Sequence, residues 1–277
     1  MTWRYVDGPD RDAPMWRRMA GVWVHRALLH RMALRDVRLR YVGASLGLWW
    51  AAITPLLFVG AYTLLFTFLF RARLTPGASP SEYALYVVTG LLPWVAFTEV
   101  ATRATQTMAE HRNLVKFAMF PLQVLPLTGM YAAMLSQLAG LIGALAFSLI
   151  IHGEVSWSLL WLVPATVAQL VFLAGTAWFL GAVGAVIRDV REVLQIVLTA
   201  GMFFTPIFYR IDDLPVPVAQ VVGLNPLTPL LGAYRAAFLG TAPDPVGLAF
   251  FTGFSLVLLV GGFITFELVR SELSDIL

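Results

Sequence analysis

Few groups in this chain could do chemistry. The histidines His25, His30, His111 and His152 have no spacing that sets two imidazoles on one helix turn, and cysteine is absent. No metal site is therefore expected, and no disulfide can form. The only lysine, Lys116, follows Asn113-Leu114-Val115 rather than the glycines of a phosphate-binding loop. If ATP drives this protein, another polypeptide is expected to bind the nucleotide and its magnesium, and this chain is expected to carry no cofactor. Asp10-Arg11-Asp12 has the Asp-x-Asp spacing with which some glycosyltransferases hold a metal-bound sugar nucleotide, but it lies in a polar tail with no strand-based fold around it. Glu99 and Arg103 stand four apart, within reach on one helix face, and Glu267 closes the last apolar run. Ionisable groups inside apolar runs are otherwise missing, so these read as structural partners and not as a catalyst or proton relay. No catalytic residue is expected.

The elements that would position such groups are set by hydropathy. Of 277 residues, 59% are hydrophobic and 13% charged, and the mean hydropathy is +0.77, whereas a soluble domain carries about 25% charged residues. The relevant unit is then the run of about 20 apolar residues that crosses a bilayer. Six runs qualify: residues 46–70, 83–108, 122–151, 159–186, 193–209 and 246–268. The fifth is barely long enough. Pro93 and Pro206 fall inside runs, where each removes a backbone hydrogen bond and bends its helix. The net charge of +3 is not gathered into a basic domain with stacking aromatics, so nucleic acid is not an expected partner.

Positive residues mark topology instead, because cytoplasmic flanks retain them. With the N-terminus inside, nine arginines ahead of residue 46 plus Arg103, Arg112, Lys116, Arg188, Arg191 and Arg270 lie inside. Only Arg71, Arg73, Arg210 and Arg235 lie outside. Both termini are therefore expected in the cytoplasm, with no cleaved signal peptide.

Two segments depart from simple crossings. In 22–44, Trp23, Ala27, Leu34, Val37 and Tyr41 share a helix face, Leu28, Met32 and Leu39 form a second strip, and Arg31, Arg35 and Arg38 flank them. Such a helix leans on lipid with one strip and on protein with the other, or it is a basic juxtamembrane helix that only fixes topology. Residues 211–245 hold Pro215, Pro217, Pro226, Pro229, Pro243 and Pro245 in an otherwise apolar stretch. That is too broken to cross and too apolar for a free loop, which leaves short re-entrant helices. The expected fold is an all-α integral membrane protein: a polar cytoplasmic N-terminus over 1–21, an amphipathic interface helix over 22–44, and one six-span domain over 45–277. That domain includes a cytoplasmic loop at 109–121 and the re-entrant segment at 211–245, before the last span.

Particular runs then resemble a known family. Leu34-Arg35-Asp36-Val37-Arg38-Leu39-Arg40-Tyr41 with Ser45-Leu46-Gly47-Leu48-Trp49-Trp50 is similar to the start of ABC-2-type permeases that export O-antigen, capsule or teichoic acid. So are Gly90-Leu91-Leu92-Pro93-Trp94, Asn113-Leu114-Val115-Lys116 with Phe120-Pro121, Arg188-Asp189-Val190-Arg191-Glu192 and Phe204-Thr205-Pro206-Ile207-Phe208-Tyr209. Asn225-Pro226-Leu227-Thr228-Pro229 with Ala233-Tyr234-Arg235 completes the series, which covers nearly the whole chain in order. The resemblance implies a transport subunit and not an enzyme, paired as a homodimer in the bacterial inner membrane with two copies of an ABC ATPase beneath it. It implies that loop 109–121 couples to the ATPase through Glu110, His111, Arg112, Asn113, Leu114, Lys116, Phe117 and Phe120, with polar contacts from Arg188, Asp189 and Arg191. Arg31, Arg35 and Arg38 of the interface helix would flank the same partner or anionic lipid headgroups.

The cargo would be a lipid-linked polysaccharide, with O-antigen the favoured kind. A sugar polymer presents C–H faces and hydroxyls, so its conduit is served by aromatic rings and neutral hydrogen-bonding groups. Trp49, Trp50, Tyr62, Trp94, Phe97, Phe203, Phe204, Phe208 and Tyr209 supply the rings, and Gln137, Gln169 and Gln195 the amides. Taken singly, each aromatic reads equally as packing or as part of an interfacial belt. Three alternatives stand beside this reading: an ABC-2-type exporter of a drug, lipid, teichoic acid or other amphiphile; more distantly, a membrane glycosyl- or phospho-transferase, for which intramembrane acids are wanting; and an ion-coupled carrier or channel, for which charges near the midplane are wanting.

Overall fold

The computed structural model describes residues 15–40, 46–65, 79–111, 121–187 and 189–270, and every regular element among them is helical. In order these are α1 Met15–Val24, α2 Arg26–Arg40, α3 Trp50–Leu64, α4 Pro80–Glu110, α5 Leu125–His152, α6 Leu162–Val186, α7 Val190–Phe204, α8 Val216–Gly223, α9 Leu227–Phe238 and α10 Pro245–Arg270. Short 3₁₀ turns lead into α3, α5 and α6.

Polar side chains and special backbone positions set the boundaries. Ser79 and Glu82 form a reciprocal capping box, the Glu82 amide donating to Ser79 Oγ at 3.2 Å and the Ser79 amide to Glu82 Oε2 at 3.3 Å, with Pro80 supplying a first-turn residue that has no N–H to satisfy. At the other end of the next hairpin arm, Gly153 takes φ +74° and stops α5.

Among the described residues four helices are long and apolar enough to cross a bilayer: Pro80–Glu110, Leu122–His152, Trp157–Val186 and Pro245–Arg270. They match the expected runs at 83–108, 122–151, 159–186 and 246–268. The run at 193–209 behaves differently. Its helix, α7, has 15 residues and ends at Phe204, a length of about 22 Å at 1.5 Å per residue, against a hydrocarbon core of about 30 Å. Pro206 explains the early stop. The residue before a proline is pushed out of the helical region, and Thr205 is extended at φ −100°, ψ 129°. Pro206 thus follows a helix, where the sequence places it inside one, whereas Pro93 does lie within the continuous α4. Of the run at 46–70, α3 and its preceding 3₁₀ turn are described; residues 66–70 lie outside the described residues.

α8 and α9 meet at 91° across a short break, so that together they make either one broken span or a re-entrant loop. Asn225 forms the corner: its Oδ1 accepts from the Leu227 amide at 2.9 Å, and Thr228 Oγ1 donates to Val222 O at 3.0 Å. The N-terminal helical region begins earlier than expected, at Met15, and is interrupted at His25 into α1 and α2. Met32 and Ala33 are buried and Leu28 packs on the core, while Trp23 and Ala27 are exposed.

α4 is the central helix. Within its most apolar window 78% of the helix is buried by protein, against 22% for Leu122–His152 and for Pro245–Arg270, which therefore sit at the periphery. In lipid there is little hydrophobic drive between helices, so close backbone packing must hold them. Glycines permit it. A Cβ at Gly175 would stand 2.6 Å from the Leu258 and Leu259 backbone, one at Gly262 would collide with Gly175 O, and one at Gly184 with the Thr105 backbone. These contacts clamp α6 to α10 on one side and to α4 on the other.

The Gly184–Thr105 approach also brings the C-terminal ends of α6 and α4 side by side. At that end Glu267 of α10 pairs with both Arg18 of α1 and Arg270, the latter at 3.0 Å, and Arg270 donates to Gln123 Oε1 at 3.1 Å. Trp178 Nε1 donates to Gln123 O at 3.0 Å. One polar cluster therefore ties α1, α10 and the start of α5 together.

Candidate functional site

The chain leaves helical geometry between α7 and α8, and there its backbone carbonyls need donors. A non-helical stretch at membrane depth is tolerated only when protein supplies them. Each carbonyl of 203–209 has one. Phe203 O accepts from the Tyr209 hydroxyl at 2.8 Å, Phe204 O from Asn225 Nδ2 at 3.4 Å, and Thr205 O from the Ile207 amide at 2.7 Å. Pro206 O and Ile207 O both accept from Arg235 Nη2, at 2.6 and 2.9 Å. Phe208 O takes the Tyr83 hydroxyl, and Tyr209 O takes that of Tyr86 at 2.9 Å.

Arg235 is the centre of this arrangement. It is 7% exposed, lies on α9, and donates a third bond from Nε to Tyr86 O at 3.2 Å. Its guanidinium carbon is 3.6 Å from the centroid of the Tyr86 ring, so the cation rests on the ring's negative face. Gly90 makes room for it: a Cβ there would be 2.6 Å from Arg235 Nη2.

The adjacent residue on α9, Tyr234, is pinned on another side. Gln137 of α5 and Gln169 of α6 exchange amide bonds at 2.9 and 2.8 Å, and the Tyr234 hydroxyl donates to Gln169 Oε1 at 2.5 Å and meets Thr166 Oγ1 at 3.0 Å. The amides of Gln137 and Gln169 are thus spent on each other and on Tyr234 inside one chain. Both are buried within the chain, whereas Gln195, the third amide the sequence offers for a conduit, lies exposed on α7.

The aromatic residues expected along a conduit divide into two groups. Trp49, Phe203 and Phe204 are exposed, at 74%, 65% and 62%, and Trp50 is half-buried. Trp94 is 5% exposed and packs beneath α7, where a Cβ on Gly201 would touch its ring at 3.1 Å. Phe97 continues that stack toward Phe172, with ring centroids 5.5 and 5.4 Å apart in turn, beside an apolar cavity of about 370 Å³. Phe208 packs on the core, Tyr209 is half-buried, and the side chain of Tyr62 lies outside the described residues.

Of the residues expected to couple to a partner, Glu110, His111, Asp189 and Arg191 are described. Glu110 is exposed at the end of α4, His111 caps it through its amide to Thr107 O at 3.2 Å, Asp189 precedes α7 and Arg191 is exposed in its first turn. Arg112, Asn113, Leu114, Lys116, Phe117, Phe120 and Arg188 lie outside the described residues. Arg31, Arg35 and Arg38 are exposed on α2. Among the described residues no group of three His, Cys, Asp or Glu could hold a metal ion.

Sequence reading missed Arg235 as a centre, taking it for an external cation, and missed Tyr83 and Tyr86. A single ionisable residue in a long apolar stretch was the available signal.

Residues 27–239, from α2 through α9, match the family described as ABC-2 type transporter. The chain belongs to the ABC-2 type transporter family. Relatives of this ABC-2 chain align along nearly their full length. The O-antigen export system permease protein RfbA of Myxococcus xanthus is 26% identical over 268 residues, 94% of this chain and 99% of that protein. A protein of the same name from Klebsiella pneumoniae is 25% identical over 246 residues, 88% of this chain and 92% of its own. The polysialic acid transport protein KpsM of Escherichia coli is 22% identical over 258 residues, 88% and 93% of the two chains. As an ABC-2 family member with several membrane-spanning helices, the chain is a multi-pass membrane protein with a transport role. The family match includes the bent α8–α9 pair and both short connections at the α4 and α6 ends.

Proposed function

We propose that this chain is the membrane-spanning permease of an ABC exporter that moves lipid-linked polysaccharide, most of all O-antigen, across the bacterial inner membrane. The observation that carries this reading is the end-to-end alignment with an O-antigen export permease, 99% of which is covered. The likeness therefore extends over a whole permease and not over one shared segment. The polysialic acid transport relative supports an acidic polysaccharide as the second reading.

On this reading six spans form, the first including α3 and the fifth being α7 extended by the turn at 205–209. Both termini are cytoplasmic, a topology that the distribution of arginines supports. α1 and α2 lie at the inner surface as the interface helix, and α8–α9 is a re-entrant pair at the outer one. Two copies of the chain meet across the exposed faces that carry Trp49, Phe203 and Phe204, leaving a conduit whose uncharged aromatic walls suit a sugar polymer. Two copies of a separate ATPase dock under loop 109–121, which couples to them with help from Asp189 and Arg191. ATP closes the ATPases, and the closed state must bind ATP more tightly than the open one for the halves to be driven apart.

The test is co-purification of the tagged chain with the ATPase encoded beside it, scored for two copies of each and for ATP hydrolysis, together with surface polysaccharide in a deletion strain. A complex with loss of surface polymer supports the reading. A chain that purifies alone, with unchanged surface polysaccharide on deletion, overturns it.

A further inference from the structure

A cavity of about 810 Å³ opens between α8, α9 and the start of α10, at the end of the bundle opposite Glu110. Tyr86, Arg210, Gly232, Arg235, Asp244 and Phe250 are among its walls. The two acids near it are engaged. Asp212 pairs with Arg210 at 3.0 Å, and the Asp244 carboxylate accepts from the Val246 and Gly247 amides at 3.0 Å each, capping α10.

Arg235 has no carboxylate partner among the described residues. Two of its nitrogens are committed: Nε to Tyr86 O, and Nη2 to Pro206 O and Ile207 O. Nη1 makes no hydrogen bond among the described residues, on a residue that is 7% exposed and lines the cavity. Carbonyl dipoles and a ring face lower the cost of burying a cation, but they leave its full charge in place. A phosphoryl oxygen at Nη1 would supply both the missing hydrogen bond and the missing negative charge. The apolar part of the wall, which includes Phe250, Leu239 and Val246, suits the chain attached to such a head.

From this geometry we infer that the cavity is a binding site for a phosphorylated amphiphile, its phosphoryl group held by Arg235 Nη1. On the export reading above, the ligand is the phosphate of the polymer's lipid carrier or of a membrane lipid at the outer surface. The site itself does not depend on that reading, because it is tested on the isolated full-length chain, without ATPase or polymer.

The experiment uses the chain in dodecyl maltoside, a detergent with no phosphate, and measures binding of farnesyl phosphate, farnesol and inorganic phosphate by calorimetry. Gly232→Phe projects a ring into the cavity from a position where a Cβ meets nothing within 4 Å, leaving the Arg235 bonds to carbonyls intact. Val246→Trp, at an exposed position on the rim, is the second variant. We expect farnesyl phosphate to bind at one per chain, farnesol at least tenfold more weakly, and each variant to weaken farnesyl phosphate at least tenfold with an unchanged melting temperature. Competition by inorganic phosphate at similar concentration supports the site and assigns it to the phosphoryl group alone; no competition assigns it to the amphiphile. Equal binding of farnesol, or farnesyl phosphate binding that survives both variants, overturns the inference.

Discussion

The Arg235 guanidinium stands 3.6 Å from the centre of the Tyr86 ring and donates to that residue's own carbonyl at 3.2 Å. One side chain of α9 thereby grips both faces of an α4 residue, ring and backbone, while its other bonds hold the chain that leaves α7. If this is what keeps the non-helical 205–209 segment in place, removing the cation strands Pro206 O and Ile207 O without donors. Arg235→Leu, which leaves both carbonyls without that donor, is expected to cost about 3 kcal/mol or more, read as a lower unfolding midpoint in detergent. Tyr86→Phe loses only the hydroxyl bond to Tyr209 O and should cost about 1 kcal/mol. Equal effects would show that the guanidinium is not the principal holder.

The glutamine pair gives a thermodynamic cycle. Gln137→Leu or Gln169→Leu alone leaves the other amide buried with unmet donors, and each single change should destabilise by about 1–2 kcal/mol. In the double variant that orphan is gone, so its loss should be smaller than the sum of the singles. Strict additivity in the unfolding midpoints would mean the amides do not act as a pair.

Backbone contact between α6 and α10 predicts a severe effect from a small change. Gly262→Leu puts a side chain where Gly175 O already lies, so the helices must separate. We expect loss of the monodisperse peak in size-exclusion chromatography, whereas Gly261→Leu, one residue away with nothing within 4 Å of its Cβ, should run as the parent does.

On the proposed function, coupling and conduit separate by mutation. Phe117→Asp should release the ATPase while leaving the permease folded, and Trp49→Ala should lower polymer export more than assembly. Retained ATPase binding in the first, or normal export in the second, removes that residue from its role.

How far the sequence could be read depended on whether a feature was local. The long apolar runs at 83–108 and 246–268 specify their helices by themselves, and the prolines of 211–245 announce a broken segment. α7 was harder: the apolar letters run on through Phe208, but Pro206 forces Thr205 out of helix, and a hydropathy count does not see a dihedral angle. Arg235 was harder still. Counted as one of the outer cations, it satisfies a topology rule, and only the fold brings Tyr86, Pro206 and Ile207, distant in sequence, around it. The same holds for Gln137 and Gln169, 32 positions apart, whose amides look available until the helices pair them. Trp49, Phe203 and Phe204 are exposed, as aromatic residues meeting lipid, a second copy or a polymer must be, while Trp94 has the same composition signal and sits in the core.

Tyr234 and Arg235 are consecutive on α9, yet one is held by α5 and α6 and the other by α4 and the chain beyond α7. Successive helix positions differ by about 100° around the axis and 1.5 Å along it, so both grips are satisfied in a single rotational setting and a single height. α9 behaves as a key with two wards: a residue inserted or deleted between the Asn225 corner and Tyr234 turns both out of their locks at once. Length in this short stretch is therefore constrained more tightly than side-chain identity, and natural or engineered indels should be tolerated only outside it.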